Sequence, residues 1–262
     1  MKISIIGTGN LGLALAKGIV EHVDFEHLYL TKRQPTNLKS WSELPEVTVS
    51  SDNAFACSKA NVIILAIQPG QVQGVLKEVK EHVKGALIIS VVTGKSLASL
   101  EEQLHEGQKI IRAMPNTAVA VAQSMTCICA NKHSSEELVI AEKLFQAVGQ
   151  TLVIEEELMQ AATVIGASGV AFWMRLIRAT TQGAIQLGFE AEAAQKLAVQ
   201  TCLGSASLLS EKESHPETEI DRVTTPKGCT ISGLNEMEHQ GLSSALIQGI
   251  VTSYNKINEI KN

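Results

Sequence analysis

"MKISIIGTGNLG", residues 1–12, decides the fold. An apolar run from Ile3 to Ile6 passes directly into Gly7-Thr8-Gly9-Asn10-Leu11-Gly12, a G-x-G-x-x-G pattern. By itself the pattern is weak, because 19 glycines in 262 residues produce such matches by chance. A strand–turn–helix context gives each glycine a task. Gly7 permits the tight turn, Gly9 lets the backbone approach a pyrophosphate, and Gly12 lets the helix pack closely on the sheet. Free N–H groups and the positive dipole end of the helix starting near Asn10 then favour a phosphate.

That context extends downstream. Candidate strands at Lys2–Ile6, Leu28–Thr31, Val47–Ser50, Val62–Ala66, Leu87–Val92 and Lys109–Arg112 alternate with helix-like stretches at Leu11–Glu21, Gln71–Val83 and Leu97–Leu104. Val62-Ile63-Ile64-Leu65-Ala66 has no polar face, as expected of a parallel strand covered on both sides. The alternation predicts an α/β, Rossmann-type doubly wound domain over residues 1–155. Beyond it the style changes. "GFEAEAAQKLAVQTCLGSASLL", residues 188–209, reads as helix, and 156–262 is expected to form an all-α domain. So short an alanine-rich set of helices buries little surface alone, so a homo-oligomer is expected.

Composition narrows the function. A net charge of −5 argues against a nucleic-acid surface. Five cysteines, odd in number and without a C-x-x-C pair, suit a reducing, cytoplasmic setting. Glycines and Asn10 interrupt the N-terminal apolar run, unlike a signal peptide. No stretch approaches the roughly 18 consecutive apolar residues of a membrane span, so no membrane partner is expected. The seven histidines are dispersed, and no metal site is expected. Cys127 and Cys129 alternate in an apolar run and should share one face of a buried strand.

The end of the second strand bears on the cofactor. An NAD site commonly has an acid there to bond the ribose hydroxyls. Here the sequence is Tyr29-Leu30-Thr31-Lys32-Arg33, with no acid after Glu26. Two cations and a hydroxyl suit a 2′-phosphate, so NADP(H) is preferred, with NAD(H) possible.

Three further stretches carry a family resemblance: "VIILAIQPGQVQGVL" (62–76), "RAMPNTAVAVAQSMT" (112–126) and "HPETEIDRVTTPKGCTISGLNEME" (215–238). With the N-terminal glycines they resemble the pyrroline-5-carboxylate reductase family, which reduces a cyclic imine to proline. The resemblance runs through the whole chain in order. It implies that Gly7, Thr8, Gly9, Asn10 and Leu11 cradle the pyrophosphate, with Lys32 and Arg33 near the adenosine ribose and Asn53 on the adenine side. Ala66, Ile67, Gln68 and Pro69 match the family's A-V-K-P turn. Val92 and Thr93 match residues beside the nicotinamide ribose, and Met114, Pro115 and Asn116 match its pocket. Thr230 matches the threonine that meets the imine nitrogen, so it is the candidate catalytic residue. Backbone N–H groups around Gly228, Cys229 and Thr230 would hold the substrate carboxylate. Ser168 survives from the family's S-G-S-G-P-A-Y segment. Glu213 faces substrate, subunit interface or solvent. The resemblance also implies a homodimer or a ring of dimers.

Three positions depart from the family. Gly166-Ala167-Ser168-Gly169-Val170-Ala171-Phe172 lacks the proline and the tyrosine hydroxyl. Gln68 replaces a lysine. Lys227 replaces a glycine where the turn is expected to need positive φ. Alternatives are therefore a paralogue reducing another imine, a β-hydroxyacid-type dehydrogenase, or a non-catalytic NADP(H)-binding sensor. The second would need a lysine early in the helical domain, where the chain offers Arg175 and no lysine before Lys196.

Overall fold

The computed structural model describes residues 1–259, excepting the side chains of Thr36 and Asn37. Its first part runs β1 (Lys2–Ile6), α1 (Asn10–His22), β2 (His27–Thr31), β3 (Val47–Ser50), α2 (Asn53–Lys59), β4 (Val62–Leu65), α3 (Val72–Val79), β5 (Leu87–Ser90), α4 (Leu97–Glu101) and β6 (Lys109–Met114). β7 (Ser124–Ala130), α5 (Leu138–Gln146) and β8 (Gly149–Val153) follow. The strands form one sheet in the order β3-β2-β1-β4-β5-β6-β7-β8. The first six have the order of a doubly wound dinucleotide-binding sheet.

Every neighbouring pair is parallel except β6 with β7, which is antiparallel. The link between those two, residues 115–123, is too short for a parallel crossover. Alternation in the pleat explains the continuous apolar strands. Ile3, Ile5 and Ile64 pack with Leu15, Ile19, Leu144 and Phe145 on one face. Ile6, Ile63, Leu65 and Ile88 pack with Ala56, Leu76, Val79 and Leu100 on the other. Cys127 and Cys129 lie together in that second cluster, as their spacing predicts. β8 carries no such signal, since Leu152 and Val153 are about half exposed at the sheet edge.

The chain continues through α6 (Met159–Ala162), a π-helical run (Thr163–Ser168), α7 (Gly169–Gln186), α8 (Ala191–Lys212), α9 (Pro216–Val223), α10 (Cys229–His239) and α11 (Leu242–Glu259). Two compact units result: Met1–Ala167 with the end of α11 from Ile257, and Ser168–Lys256. Residues 156–167 group with the sheet because Met159, fully buried, belongs to its second core cluster. In the helical unit α7 packs on α8, where Thr181, Ala194 and Ala198 are buried. Trp173, Met174, Leu203 and Ile247 remain at least 57% exposed.

The helical run Glu156–Gln186 is, by length and composition, long and apolar enough to cross a membrane, although Gln160, Thr163, Ser168 and Arg175 interrupt its apolar residues. Within the single chain only 17% of its most apolar window is fully buried, and Ile165, Trp173 and Met174 are exposed.

Candidate functional site

The carboxyl ends of β1, β2 and β4 open onto a cleft of about 480 Å3. Of the residues expected to hold a cofactor, Gly7, Thr8, Gly9, Lys32, Arg33, Asn53, Ala66, Ile67 and Gln68 line it. Ile6, Thr31, Gln34, Ser51, Gln71 and Val75 complete the wall. Their types carry no cofactor signature, and only the strand ends they occupy could have flagged them. A larger cavity of about 620 Å3 lies among Met1, Asn61, Leu87 and Lys109, at the amino ends of the strands. It is therefore at the wrong end of the sheet for a ligand of this fold.

The three glycines behave differently, each for a visible reason. Gly7 has φ +93, and a β-carbon there would lie 2.5 Å from the carbonyl oxygen of Ala66. At Gly12 it would lie 2.3 Å from the carbonyl oxygen of Gly7. At Gly9 a β-carbon would meet nothing within 4 Å, so open space stands over that residue. The carbonyl oxygen of Thr31 accepts the amides of Gly7 at 3.2 Å and Thr8 at 3.0 Å, and the Thr8 hydroxyl at 3.0 Å. The donors left at this turn therefore belong to the start of α1, where Gly9 is the N-cap and no side chain caps the helix. An anion fits there.

At the end of β2, Lys32 is half-buried and Arg33 exposed. The Thr31 hydroxyl donates to Asn53 Oδ1 at 2.7 Å, and Asn53 Nδ2 donates to Glu78 Oε2 at 3.1 Å. Asn53 is thus oriented from both ends. Across the cleft, Gln71 Oε1 accepts the Gln68 amide at 3.1 Å and fixes the turn at Pro69.

The remaining predicted cofactor residues lie outside this cleft. Asn10 and Leu11 begin α1, and Pro69 begins a short 3-10 turn. Val92 is buried and Thr93 exposed in the loop after β5. Met114 ends β6 and is followed by Pro115 and Asn116. The Asn116 side chain is held at both ends: Oδ1 accepts the Ala118 amide at 2.9 Å and Nδ2 donates to Gly166 O at 3.0 Å. It ties the end of β6 to the π-helical run that leads to Ser168.

The helical unit carries the predicted substrate residues. Ser168 ends the π-helical run, and Glu213 terminates α8 in the left-handed region at φ +49. Lys227 also adopts the left-handed conformation, φ +60, as expected of its glycine-like position. Gly228 follows because a β-carbon there would lie 2.4 Å from Thr225 Oγ1. It is the N-cap of α10, which begins with the exposed Cys229 and Thr230 and has no side-chain cap.

Cysteine chemistry is confined by burial. Desolvation pushes the Cys57 thiol up to about 12 and the Cys129 thiol up to about 11, so both stay protonated and unreactive at neutral pH. Among the described residues no group of three or more His, Cys, Asp or Glu could hold a metal ion.

Fold and cleft define a class: a dinucleotide-binding oxidoreductase with a Rossmann-type sheet unit and a separate helical unit. Residues 2–94 match the family model "NADP oxidoreductase coenzyme F420-dependent", and 156–260 match "Pyrroline-5-carboxylate reductase dimerisation". The chain is 41% identical to pyrroline-5-carboxylate reductase 2 of Dictyostelium discoideum, over 97% of this chain and 91% of that one. It belongs to the pyrroline-5-carboxylate reductase family. It is also 42% identical to reductase 1 of the same organism over 97% of its length, and spans about half (49%) of that protein. The reductase of Methanosarcina acetivorans is 33% identical over 99% of this chain and 97% of that one. Among solved structures, a pyrroline-5-carboxylate reductase from Coxiella burnetii superposes with TM-score 0.94 at 28% identity, covering 100% of this chain and 98% of that one. A Plasmodium falciparum pyrroline carboxylate reductase with NADP bound shares the fold, with TM-score 0.87 at 24% identity and the same coverage of 100% and 98%.

Proposed function

We propose that this chain reduces 1-pyrroline-5-carboxylate to L-proline, drawing hydride from NADPH. The observation that carries the reading is full-length kinship, at 41% identity, to a protein named for that reaction, spanning both glycine turns. The reaction adds a hydride to the imine carbon and a proton to the ring nitrogen. When bound, the nicotinamide supplies the hydride. The chain contributes position and electrostatics, so no strongly shifted acid or base is needed.

In this reading the start of α1, from Gly9 through Asn10 and Leu11, receives the pyrophosphate, with Gly7 and Thr8 shaping the turn. Lys32 and Arg33 take the 2′-phosphate and favour NADPH over NADH. Asn53, Ala66, Ile67, Gln68 and Pro69 border the adenosine side. Val92, Thr93, Met114, Pro115 and Asn116 border the nicotinamide side, with Asn116 held in place by its bonds to Ala118 and Gly166. Amides around Gly228, Cys229 and Thr230 hold the substrate carboxylate, and the Thr230 hydroxyl orients the ring nitrogen. Ser168 and Glu213 border that site. Residues 1–155 serve the cofactor and 156–262 the substrate and self-association. A homodimer or a ring of dimers covers the exposed apolar residues of α7 and α8. Unpaired cysteines suit a cytoplasmic setting.

The test is NADPH oxidation on 1-pyrroline-5-carboxylate, run in parallel with NADH. Turnover faster with NADPH is expected. Tight NADPH binding without turnover on any cyclic imine would overturn the reading in favour of a sensor.

A further inference from the structure

Thr31 joins two parts of the cofactor cleft. It ends β2, is only 1% exposed, and acts through both its backbone and its side chain. Its carbonyl oxygen accepts the Gly7 and Thr8 amides and the Thr8 hydroxyl, which fixes the glycine turn. Its own hydroxyl donates to Oδ1 of Asn53, at the start of α2, at 2.7 Å. A hydroxyl has one hydrogen to give, and a phosphate dianion only accepts. The Thr31 hydroxyl is therefore committed to Asn53 and has no donor left for a 2′-phosphate.

The other end of Asn53 has a different kind of partner. Nδ2 donates to Oε2 of Glu78, on α3, at 3.1 Å. A carboxylate accepts and does not donate, so it selects the NH2 end of the amide. A hydroxyl selects neither end, since it can donate to the amide oxygen or accept from the amide nitrogen. Glu78 thus sets which way round the Asn53 amide lies, and Thr31 holds it there. Without Glu78, the flipped amide would satisfy Thr31 equally well. Of the two residues in this bond, Asn53 is the one that lines the cleft.

We propose that Thr31 and Glu78 are positioning residues of the cofactor cleft. Together they fix the orientation in which the Asn53 amide meets the adenosine part of a bound dinucleotide. The adenine ring and its ribose are common to NADPH and NADH, so the pair serves affinity for both and does not choose between them. That choice stays with Lys32 and Arg33. The proposal rests on the reading of this cleft as the NADP(H) site.

Fluorescence titration of the full chain with NADPH and with NADH tests the assignment without any turnover. Thr31→Val keeps the shape of the side chain and the backbone carbonyl, and removes only the hydroxyl. It is expected to weaken both cofactors by the same factor, roughly three- to tenfold, the worth of one hydrogen bond. Glu78→Ala, at an exposed position of α3 where folding is not at stake, should do the same. Thr31→Ser should restore wild-type affinity. In an Asn53→Ala background each of the Thr31→Val and Glu78→Ala changes should alter affinity by less than about twofold, because their shared target is gone.

A loss confined to NADPH would place the Thr31 hydroxyl on the 2′-phosphate and overturn the proposal. A full effect persisting beside Asn53→Ala, or no rescue by serine, would mark a merely structural role and overturn it too. If the paired losses appear in a chain that reduces no imine, the positioning roles stand and the reductase reading falls. If the imine is reduced and both variants bind both cofactors as the wild type does, the reductase reading stands and the positioning roles fall.

Discussion

The carbonyl oxygen of Gly7 stands 2.3 Å from where a β-carbon on residue 12 would be. α1 therefore leaves the sheet along a path that only a hydrogen at position 12 allows. Gly12→Ala must push the helix or the turn aside and is expected to lower stability by about 1–3 kcal/mol. Gly9→Ala meets nothing within 4 Å and has φ −77, so its stability should stay within about 0.5 kcal/mol of wild type. Its methyl group instead enters the space over the helix start, and NADPH affinity should fall. Urea unfolding and a fluorescence titration with NADPH separate the two effects.

Arg33 is exposed and lines the cleft, and in the proposed function it meets the 2′-phosphate. Arg33→Ala should raise KM for NADPH by about 10–100-fold, the worth of a charge-assisted contact, and leave KM for NADH nearly unchanged. Equal losses with both cofactors would contradict the 2′-phosphate assignment.

Thr230 is exposed at the first turn of α10. Thr230→Ala should therefore keep the melting temperature and NADPH affinity. Its kcat/KM for the imine should fall by about 100-fold if the hydroxyl handles the ring nitrogen, with Thr230→Ser restoring most of it.

Lys227 holds φ +60, a conformation that costs a side-chain-bearing residue about 1–2 kcal/mol. Lys227→Gly removes that strain and adds some unfolded-chain entropy, so a net gain of about 0.5–1 kcal/mol is expected. Thermal unfolding reads it directly.

Burial raises the Cys57 thiol from 9.0 to about 12 and the Cys129 thiol from 9.0 to about 11. Above pH 9 the unfolded chain loses these protons while the folded chain keeps them. The stabilisation is thus complete below pH 9 and is lost as pH rises toward 12, by about 1.4 kcal/mol per pH unit for each thiol. Cys57→Ala should flatten that slope in alkaline urea unfolding. At neutral pH a thiol reagent should modify the exposed Cys229 at once and reach Cys57, Cys127 and Cys129 only after unfolding.

Much of the first unit was legible because its signals are local. Val62–Leu65 is apolar at every position, so a strand covered on both faces follows without knowing its neighbours. Gly7 and Gly12 were readable for the same reason: a strand, a tight turn and a helix meet within a dozen residues. β8 was not legible, since an exposed edge strand needs no apolar pattern and owes its existence to pairing with β7. The partners of the Asn116 amide were not legible either, because the Ala118 amide and the Gly166 carbonyl reach it only once the end of β6 meets the π-helical run.

By itself, then, the sequence determined the alternation of elements, the glycine turn and the cationic end of β2. Each depends on backbone stereochemistry or charge over a few neighbouring residues. The left-handed demand at Lys227 came only through the family resemblance. Only the tertiary structure decided which amides at the turn remain free, which half of the chain leaves its apolar residues uncovered, and that Arg112 meets Glu156. Those properties are distances between groups far apart in the chain. Burial and hydrogen-bond satisfaction exist only once the sheet has brought such groups together.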